Sequence, residues 1–302
     1  MIISNSAGPL LDKWRAALMA SAVQGIRMSF AALLLVVSTG ASAQEGTTVW
    51  IPMKDKGLFG ERLIRIEATL FKPLRSGPYP VMIFNHGSSG GPIPATYTEN
   101  PKAIAAYLLS KDIALVVPMR RGRGKSEGSN KEEPSPCTVE AARMGLQYAS
   151  QTVDAVYAYL RQQPWAAMDK VILAGHSRGG LLASVYAAEH PGAASAVINF
   201  SGGWKNDDCG PADVNLALFG HAGSGAKVPN LFLYARNDAF YSDESMSNYA
   251  IAFKSTGGDA TFKLLTVENL NGHQLFHRAM PVWQSSVDDF LKNVLITTKL
   301  KP

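Results

Sequence analysis

The segment Gly-His-Ser-Arg-Gly-Gly at residues 175–180 constrains the fold more than any other part of the sequence. An apolar run at residues 170–174 precedes it, and a helix-period pattern follows it. This is the G-x-S-x-G pattern in a strand–turn–helix context, where a serine on a sharp turn projects its hydroxyl above the sheet. Side chains at Gly175 or Gly179 would collide with the neighbouring strand or helix. The segment therefore predicts a nucleophilic serine, Ser177, at the end of a buried strand.

Strand and helix patterns alternate along the rest of the chain. Helix-period apolar residues recur around residues 153–160, 181–188, 244–253 and 282–295. Runs rich in Val, Ile, Leu and Phe predict strands, several of the kind buried on both faces, at 62–71, 80–84, 113–118, 170–174, 196–200, 230–234 and 261–267. The first strands, near residues 47–72, have no helix between them, which predicts an antiparallel edge. We therefore predict an α/β fold with a mostly parallel central sheet, helices on both faces and a small cap built from loops.

The first 43 residues have the features of a secretory signal peptide. An apolar run of about ten residues follows Arg27, and Ala41-Ser42-Ala43 supplies a small-residue cleavage site before Gln44. A transmembrane anchor is the alternative, but it needs about 20 apolar residues, and Ser38 interrupts this run. We expect cleavage after Ala43, export to the periplasm or the medium, and no stable membrane anchor.

The remaining residues, 44–302, are expected to form a single domain. Translation starts at Met19 or Met28 would each give a leader of more usual length. The leader holds three of the chain's 29 basic residues and one of its 24 acidic residues, so the exported part carries a net charge of +3. This small charge does not indicate nucleic acid or a membrane surface as a partner. The sequence predicts no oligomeric state.

The acid and the base of a catalytic triad are expected on loops after later strands. The strand at 230–234 leads to Asp238, which we interpret as the acid; Asp243 is the nearest rival, but it precedes a helix and is interpreted as a capping residue. The strand at 261–267 leads to His273, which we interpret as the base. In this interpretation His273 Nε2 takes the serine proton while Asp238 holds Nδ1–H.

None of the other histidines is interpreted as a catalytic base or a metal ligand, and His190 and His221 are interpreted as surface residues. His277 lies four residues after His273, a spacing that would suit a metal pair on a helix, but no third ligand with suitable spacing follows. We therefore expect no metal and no other cofactor. His176, inside the Gly-rich turn, is interpreted as a packing residue beside the nucleophile rather than a second base.

Acyl transfer also needs backbone donors for the developing oxyanion. One is expected to be the N–H of Arg178, directly after the nucleophile, and the other an N–H from the loop after the strand at 80–84. That loop reads His86-Gly87-Ser88, and we interpret Ser88 as the donor. The later segment Gly124-Lys125-Ser126 does not complete a phosphate-binding P-loop, because Met119 occupies the position of its first glycine.

With these residues, the chain resembles the α/β-hydrolase superfamily, and within it the esterase branch similar to dienelactone hydrolases and prolyl oligopeptidases. The resemblance covers about residues 60–297. It implies Ser177, Asp238 and His273 as nucleophile, acid and base, with Ser88 and Arg178 donating backbone N–H groups. Residues 121–126 resemble the R-G-x-G-x-S turn of these hydrolases, which implies a structural task. Dienelactone hydrolases use a cysteine nucleophile, and prolyl oligopeptidases carry a propeller domain ahead of the catalytic one, so the chain departs from both patterns.

The function predicted from these residues is an exported serine hydrolase acting on a small carboxylic ester through an acyl-enzyme. A peptidase, amidase or thioesterase with the same triad is the alternative, because the leaving group does not change these residues. A non-catalytic binding protein on the same fold is a remote alternative. The segments at 125–137 and 202–227 are expected to roof the site, and Trp204 and Phe219 are candidates for an apolar substrate pocket, with loop packing as the equal alternative.

Cys137 and Cys209 are the two cysteines of the chain. An even pair in an exported protein indicates one disulfide, with two reduced buried thiols as the alternative. In the predicted topology both cysteines lie on segments that leave the carboxyl ends of central strands. A Cys137–Cys209 bridge would join the two roofing segments.

Overall fold

Eight strands form one open sheet in the described part of the chain, which comprises residues 45–57, 60–88, 94, 96–133, 138–204 and 212–297. The structure is a computed structural model. The strands are β1 (Thr47–Gly57), β2 (Gly60–Phe71), β3 (Tyr79–Asn85), β4 (Ala114–Pro118), β5 (Ala166–His176), β6 (Ala196–Phe200), β7 (Asn230–Ala235) and β8 (Ala260–Leu265).

The order of the strands across the sheet is β1-β2-β4-β3-β5-β6-β7-β8. β2 pairs antiparallel with β1 and with β4, whereas every other pair is parallel. The predicted mostly parallel sheet and its antiparallel edge are confirmed. In such a sheet the carboxyl ends of β3, β5, β6, β7 and β8 lie along one edge, where ligands bind in open α/β folds.

Seven α-helices occur in the described residues: α1 (Lys102–Leu109), α2 (Val139–Leu160), α3 (Arg178–Glu189), α4 (Ala212–Gly225), α5 (Asp243–Ser255), α6 (Leu275–Arg278) and α7 (Met280–Thr297). A 3₁₀ turn, Gly272–Gln274, precedes α6. No helix of the described residues is long and apolar enough to cross a membrane.

Alternate residues of the central strands enter two separate hydrophobic layers. In β5, Val171 and Leu173 pack against α2, α3, α4 and α5, whereas Ile172 and Ala174 pack on the other face with α1, α6 and α7. This alternation follows from the two-residue period of a strand. Because both faces are covered, the strand is apolar at consecutive positions, which is the pattern seen in the sequence.

Helix α4 corrects the prediction of a roofing loop through residues 202–227. Its glycines weaken the helix pattern in the sequence, yet they are required by packing. A Cβ on Gly223 would lie 2.0 Å from the carbonyl oxygen of Phe253, and one on Gly225 would lie 2.7 Å from that of Ala188. The glycines therefore let α4 approach α5 and α3 closely, and this part of the expected cap is a helix packed on the sheet.

The described residues lie in one compact unit, Ala43–Pro302. The expected signal peptide at residues 1–43 lies outside the described residues, as do both Cys137 and Cys209. The signal peptide and the disulfide therefore stay predictions.

Candidate active site

Ser177 lies on the sharp turn between β5 and α3. Its backbone has φ 54° and ψ −126°, a conformation that costs free energy for any residue with a side chain. Hydrogen bonds hold this turn: the Ser177 N–H donates to the carbonyl of Phe200 at 2.9 Å, and the Ser177 carbonyl accepts from the N–H of Gly180 at 2.9 Å and of Gly203 at 3.2 Å. The surrounding backbone therefore imposes the strained conformation.

The glycines on either side of Ser177 are required by close backbone contacts. A Cβ on Gly175 would lie 2.2 Å from the carbonyl oxygen of Gly179, and one on Gly179 would lie 2.0 Å from the carbonyl oxygen of Asn85. Both distances are far below van der Waals contact. The first turn of α3 thus packs directly on β3 and β5, which leaves room only for glycine.

Asp238 and His273 form a hydrogen-bonded pair on the loops after β7 and β8. The distance between His273 Nδ1 and Asp238 Oδ2 is 2.9 Å; the Asp238 side chain is fully buried and that of His273 is 11% exposed. A carboxylate can only accept, so Nδ1–H is the donor. In a neutral ring the lone pair is then on Nε2, the atom a general base uses.

The loop after β3 passes beside the serine. β3 and β5 are adjacent parallel strands, with Asn85 level with Gly175. A Cβ on Gly87 would lie 3.2 Å from Ser177 Cβ, so the backbone leading to Ser88 adjoins the turn that carries Ser177. Arg178 is the first residue of α3, where the helix dipole favours negative charge. Both N–H groups expected to bind an oxyanion thus belong to segments that adjoin Ser177.

The sequence matches no protein-family model and no curated protein. Among solved structures, an esterase of Pyrococcus furiosus matches with a TM-score of 0.58 and 13% identity, over 82% of this chain and 90% of that one. Est1E of Butyrivibrio proteoclasticus, solved with ferulic acid bound, matches with a TM-score of 0.55 and 18% identity, over 84% of this chain and all of that one.

The chain has the α/β-hydrolase fold. An acylaminoacyl peptidase of Pyrococcus horikoshii also matches, with a TM-score of 0.56 and 14% identity, over 82% of this chain. The chain spans only 42% of that peptidase. At these identities the likeness shows the fold alone.

Backbone donors orient the carboxylate of Asp238. Its Oδ1 accepts from the N–H of Phe240 at 2.8 Å and of Tyr241 at 3.2 Å, while Oδ2 accepts from His273. The rival residue, Asp243, lies in the first turn of α5, where it forms an ion pair with Arg236. The interpretation of Asp243 as the capping residue of α5 is wrong: the N-cap is Ser242, whose hydroxyl accepts from the Ser245 N–H.

Asn271 joins the two loops that carry the acid and the base, and the sequence analysis did not single it out. Its Oδ1 accepts from the N–H of Ala239 and from the N–H of His273, both at 3.0 Å. The signal available in the sequence was an asparagine at a helix N-cap position. Gly272 is also required, since a Cβ there would lie 2.4 Å from the carbonyl oxygen of Arg236.

His176 holds the backbone of His273 against the end of β5. Its Nε2 lies 2.7 Å from the carbonyl oxygen of His273 and must donate, because a carbonyl only accepts. Burial, with the neighbouring His273 and His277, holds the pKa of His176 well below its usual range, so the ring is neutral. His277 packs edge-on against the His176 ring and lies 3.8 Å from the carboxylate of Glu99.

Trp204 and Phe219, the candidates for a substrate pocket, have packing roles in the structure. Phe219 is fully buried in α4 and packs against Phe232 and Tyr249. Trp204 is also buried, and the guanidinium of Arg178 lies 4.1 Å over its ring. These contacts join residues that are far apart in the chain, so the sequence pattern does not show them.

The turn that begins at Arg121 is a junction between β4 and the β1–β2 hairpin. Arg121 forms a buried ion pair with Asp55 at 2.6 Å. The Ser126 hydroxyl donates to the carbonyl of Met119 at 2.6 Å and accepts from the N–H of Glu67 at 2.9 Å. These contacts give the turn the structural task that the resemblance implied.

A surface cleft of about 870 Å³ lies at the opposite edge of the sheet. Its lining includes Ser195, Asn230 and Asp259, at the amino ends of β6, β7 and β8. Ser177 and His273 are at the carboxyl-end edge. This cleft is therefore separate from the candidate active site.

Proposed function

We propose that the protein is an exported serine hydrolase that cleaves a small carboxylic ester through an acyl-enzyme on Ser177. The observation that carries the proposal is the buried Asp238–His273 pair, with 2.9 Å between the carboxylate and Nδ1, on loops at the edge where Ser177 stands. Nucleophile, acid and base follow one another in the order expected for this fold.

The reaction takes place in two halves. His273 Nε2 accepts the proton of Ser177 as Oγ attacks the ester carbonyl, and the tetrahedral oxyanion is held by the N–H groups of Ser88 and Arg178. Collapse of this intermediate breaks the bond to the alcohol oxygen, which takes the proton from His273. In the second half His273 Nε2 takes a proton from the water that attacks the acyl-enzyme, and collapse of this second intermediate breaks the bond to Ser177 Oγ. Oγ takes the proton back from His273, and the acid product leaves. Asp238 stabilises the imidazolium formed in each half.

Ester cleavage is proposed ahead of amide cleavage because esterases are among the solved structures most similar to the chain. Peptidase activity is the second candidate, since an acylaminoacyl peptidase shares the fold over 82% of the chain. Thioester cleavage is a further candidate with the same triad, because the acyl-enzyme is common to all three reactions.

A panel of matched acyl compounds tests the proposal. We expect the purified protein to hydrolyse p-nitrophenyl acetate, butyrate or octanoate, or an aryl ester such as methyl ferulate, at least 100-fold faster by kcat/KM than the matching p-nitroanilide or amide. A faster amide would assign a peptidase or amidase instead. A fluorophosphonate probe should label Ser177, located by peptide mass mapping. A protein that is neither labelled nor active would be a binding protein on a hydrolase fold.

Export is proposed from the apolar run and the Ala41-Ser42-Ala43 site. We expect the enzyme from the exported fraction of a bacterial host to begin at Gln44, as measured by intact mass and N-terminal sequencing. Ala43→Leu should leave the leader attached, because signal peptidases need a small residue there. Full-length chain confined to the cytoplasm would contradict export and leave the proposed chemistry intact.

A further inference from the structure

A buried group of charged side chains lies behind the loop after β3. Arg120 and Arg123 are fully buried and share the carboxylate of Glu132. Arg120 Nε is 2.8 Å from Glu132 Oε1 and Nη2 is 3.1 Å from Oε2, so the pair is bidentate. Burial alone would raise the pKa of Glu132, but the two arginines lower it to about 2. Glu132 is therefore ionised and fixes the plane of the Arg120 guanidinium.

The other N–H groups of Arg120 bind the main chain of the loop. Nη1 donates to the carbonyl of His86 at 2.5 Å, and Nη2 donates to the carbonyl of Gly87 at 3.3 Å. The His86 ring reinforces this contact, because its Nδ1–H donates to the Gly87 carbonyl at 2.6 Å while its Nε2 accepts from the Arg120 N–H at 3.1 Å. Burial, with the charge of Arg120, holds the pKa of His86 well below its usual range, so the ring is neutral and can do both.

These contacts determine the direction of the Ser88 N–H. The peptide unit between Gly87 and Ser88 is planar and trans, so its N–H points away from the Gly87 carbonyl. That carbonyl points at Arg120 and His86. Gly87 itself is in contact with Ser177, since a Cβ there would lie 3.2 Å from Ser177 Cβ. Arg120 and His86 thus both donate to the carbonyl of this peptide, on the side away from its N–H.

We propose that Arg120, together with His86, is a positioning residue for the oxyanion hole: it holds the Gly87–Ser88 peptide so that the Ser88 N–H meets the oxyanion formed at Ser177. This inference rests on the proposed function. A cationic donor on the Gly87 carbonyl also polarises the peptide and strengthens its N–H as a donor. The oxyanion exists only in and near the transition state, so the effect belongs to kcat rather than KM.

Two substitutions of Arg120 test the proposal. Arg120→Met removes both contacts to the loop, and we expect kcat for the best p-nitrophenyl ester to fall about 100-fold with KM changed less than threefold, since loss of one oxyanion donor costs about 10²–10³ in kcat. Arg120→Lys keeps the charge beside Glu132 but cannot hold two carbonyls and two carboxylate oxygens together. We expect kcat of Arg120→Lys to be about tenfold below wild type. This variant serves as the test if Arg120→Met does not fold.

An aryl trifluoromethyl ketone supplies a readout that a purely structural role would not move. Its adduct with Ser177 carries an oxyanion, so its Ki should rise in parallel with the fall in kcat in each Arg120 variant. The Ki of the carboxylate product, which forms no adduct, should stay within threefold of wild type. Arg121→Met is the matched control, because it removes the neighbouring buried guanidinium and its ion pair with Asp55 at 2.6 Å. We expect that control to lower the melting temperature and to leave kcat within threefold of wild type.

The outcomes separate this proposal from the proposed function. Arg120→Lys with wild-type kcat and wild-type ketone affinity would overturn the positioning role, as would an equal fall of kcat in Arg121→Met. In both cases, labelling of the wild-type protein by the fluorophosphonate would still support the proposed serine hydrolase activity. A wild-type protein that cleaves no ester and takes no label would overturn the proposed function, and the oxyanion role of Arg120 with it.

Discussion

Ser177→Ala is expected to lower kcat for ester hydrolysis by about 10⁴–10⁶ while the protein stays folded. The substitution removes the hydroxyl oxygen that forms the acyl-enzyme in the proposed mechanism. It should not disturb the turn, because a side chain is already tolerated at φ 54° and alanine is smaller than serine. The measurements are kcat with a p-nitrophenyl ester and the melting temperature by circular dichroism. The residual rate is what binding and the oxyanion donors supply without a nucleophile.

Ser201→Ala is the matched control for this prediction. Ser201 follows β6, is fully buried and has φ 46°, so it is a second serine with a left-handed backbone in the same region. Its hydroxyl has no hydrogen-bond partner among the described residues. We expect Ser201→Ala to keep kcat within about threefold of wild type. Retention of more than a tenth of the activity in Ser177→Ala would contradict the assignment of the nucleophile.

The strands could be predicted from the sequence because burial on both faces requires apolar residues at consecutive positions. In β5 the residues at 171–174 are consecutively apolar, since alternate side chains enter two different hydrophobic layers. The turn at Ser177 could be predicted for a similar reason: Gly175 and Gly179 are required by backbone atoms that lie close by in the fold. A constraint of this kind can be recognised in the sequence because the residues that it affects are adjacent in the chain.

Helix α4 could not be predicted by the same reasoning. Gly223 lowers the helix propensity of this segment. A glycine is needed there because the carbonyl of Phe253 lies close by on a different helix, 30 positions later in the chain. Asn271 and Arg120 were missed for a related reason. Each acts through hydrogen bonds to backbone that is 32 to 34 residues away, at Ala239 and at His86 respectively. A polar residue in a loop gives no sign of such a partner until the fold is known.

Asp238→Asn should lower the activity by several orders of magnitude, although it replaces a single heavy atom. The asparagine Oδ1 can still accept from the N–H groups of Phe240 and Tyr241, which bind Asp238 Oδ1 at 2.8 and 3.2 Å, so the loop should keep its shape. Its Nδ2 then faces His273 Nδ1, where Oδ2 stood at 2.9 Å. Since an amide nitrogen only donates, Nδ1 must accept and the ring proton moves to Nε2.

An Nε2 that carries a proton cannot take one from Ser177, so Asp238→Asn is expected to lower kcat by about 10⁴, the loss known for this change in serine proteases, with little change in KM. Asp243→Asn is the control, because Asp243 is the nearest rival carboxylate and its side chain is 42% exposed beside Arg236. That variant should keep kcat within about twofold, as expected for an exposed ion pair. If Asp243→Asn lost the activity and Asp238→Asn kept it, the acid of the triad would be Asp243, and the buried contact between Asp238 and His273 would serve only to hold the loop.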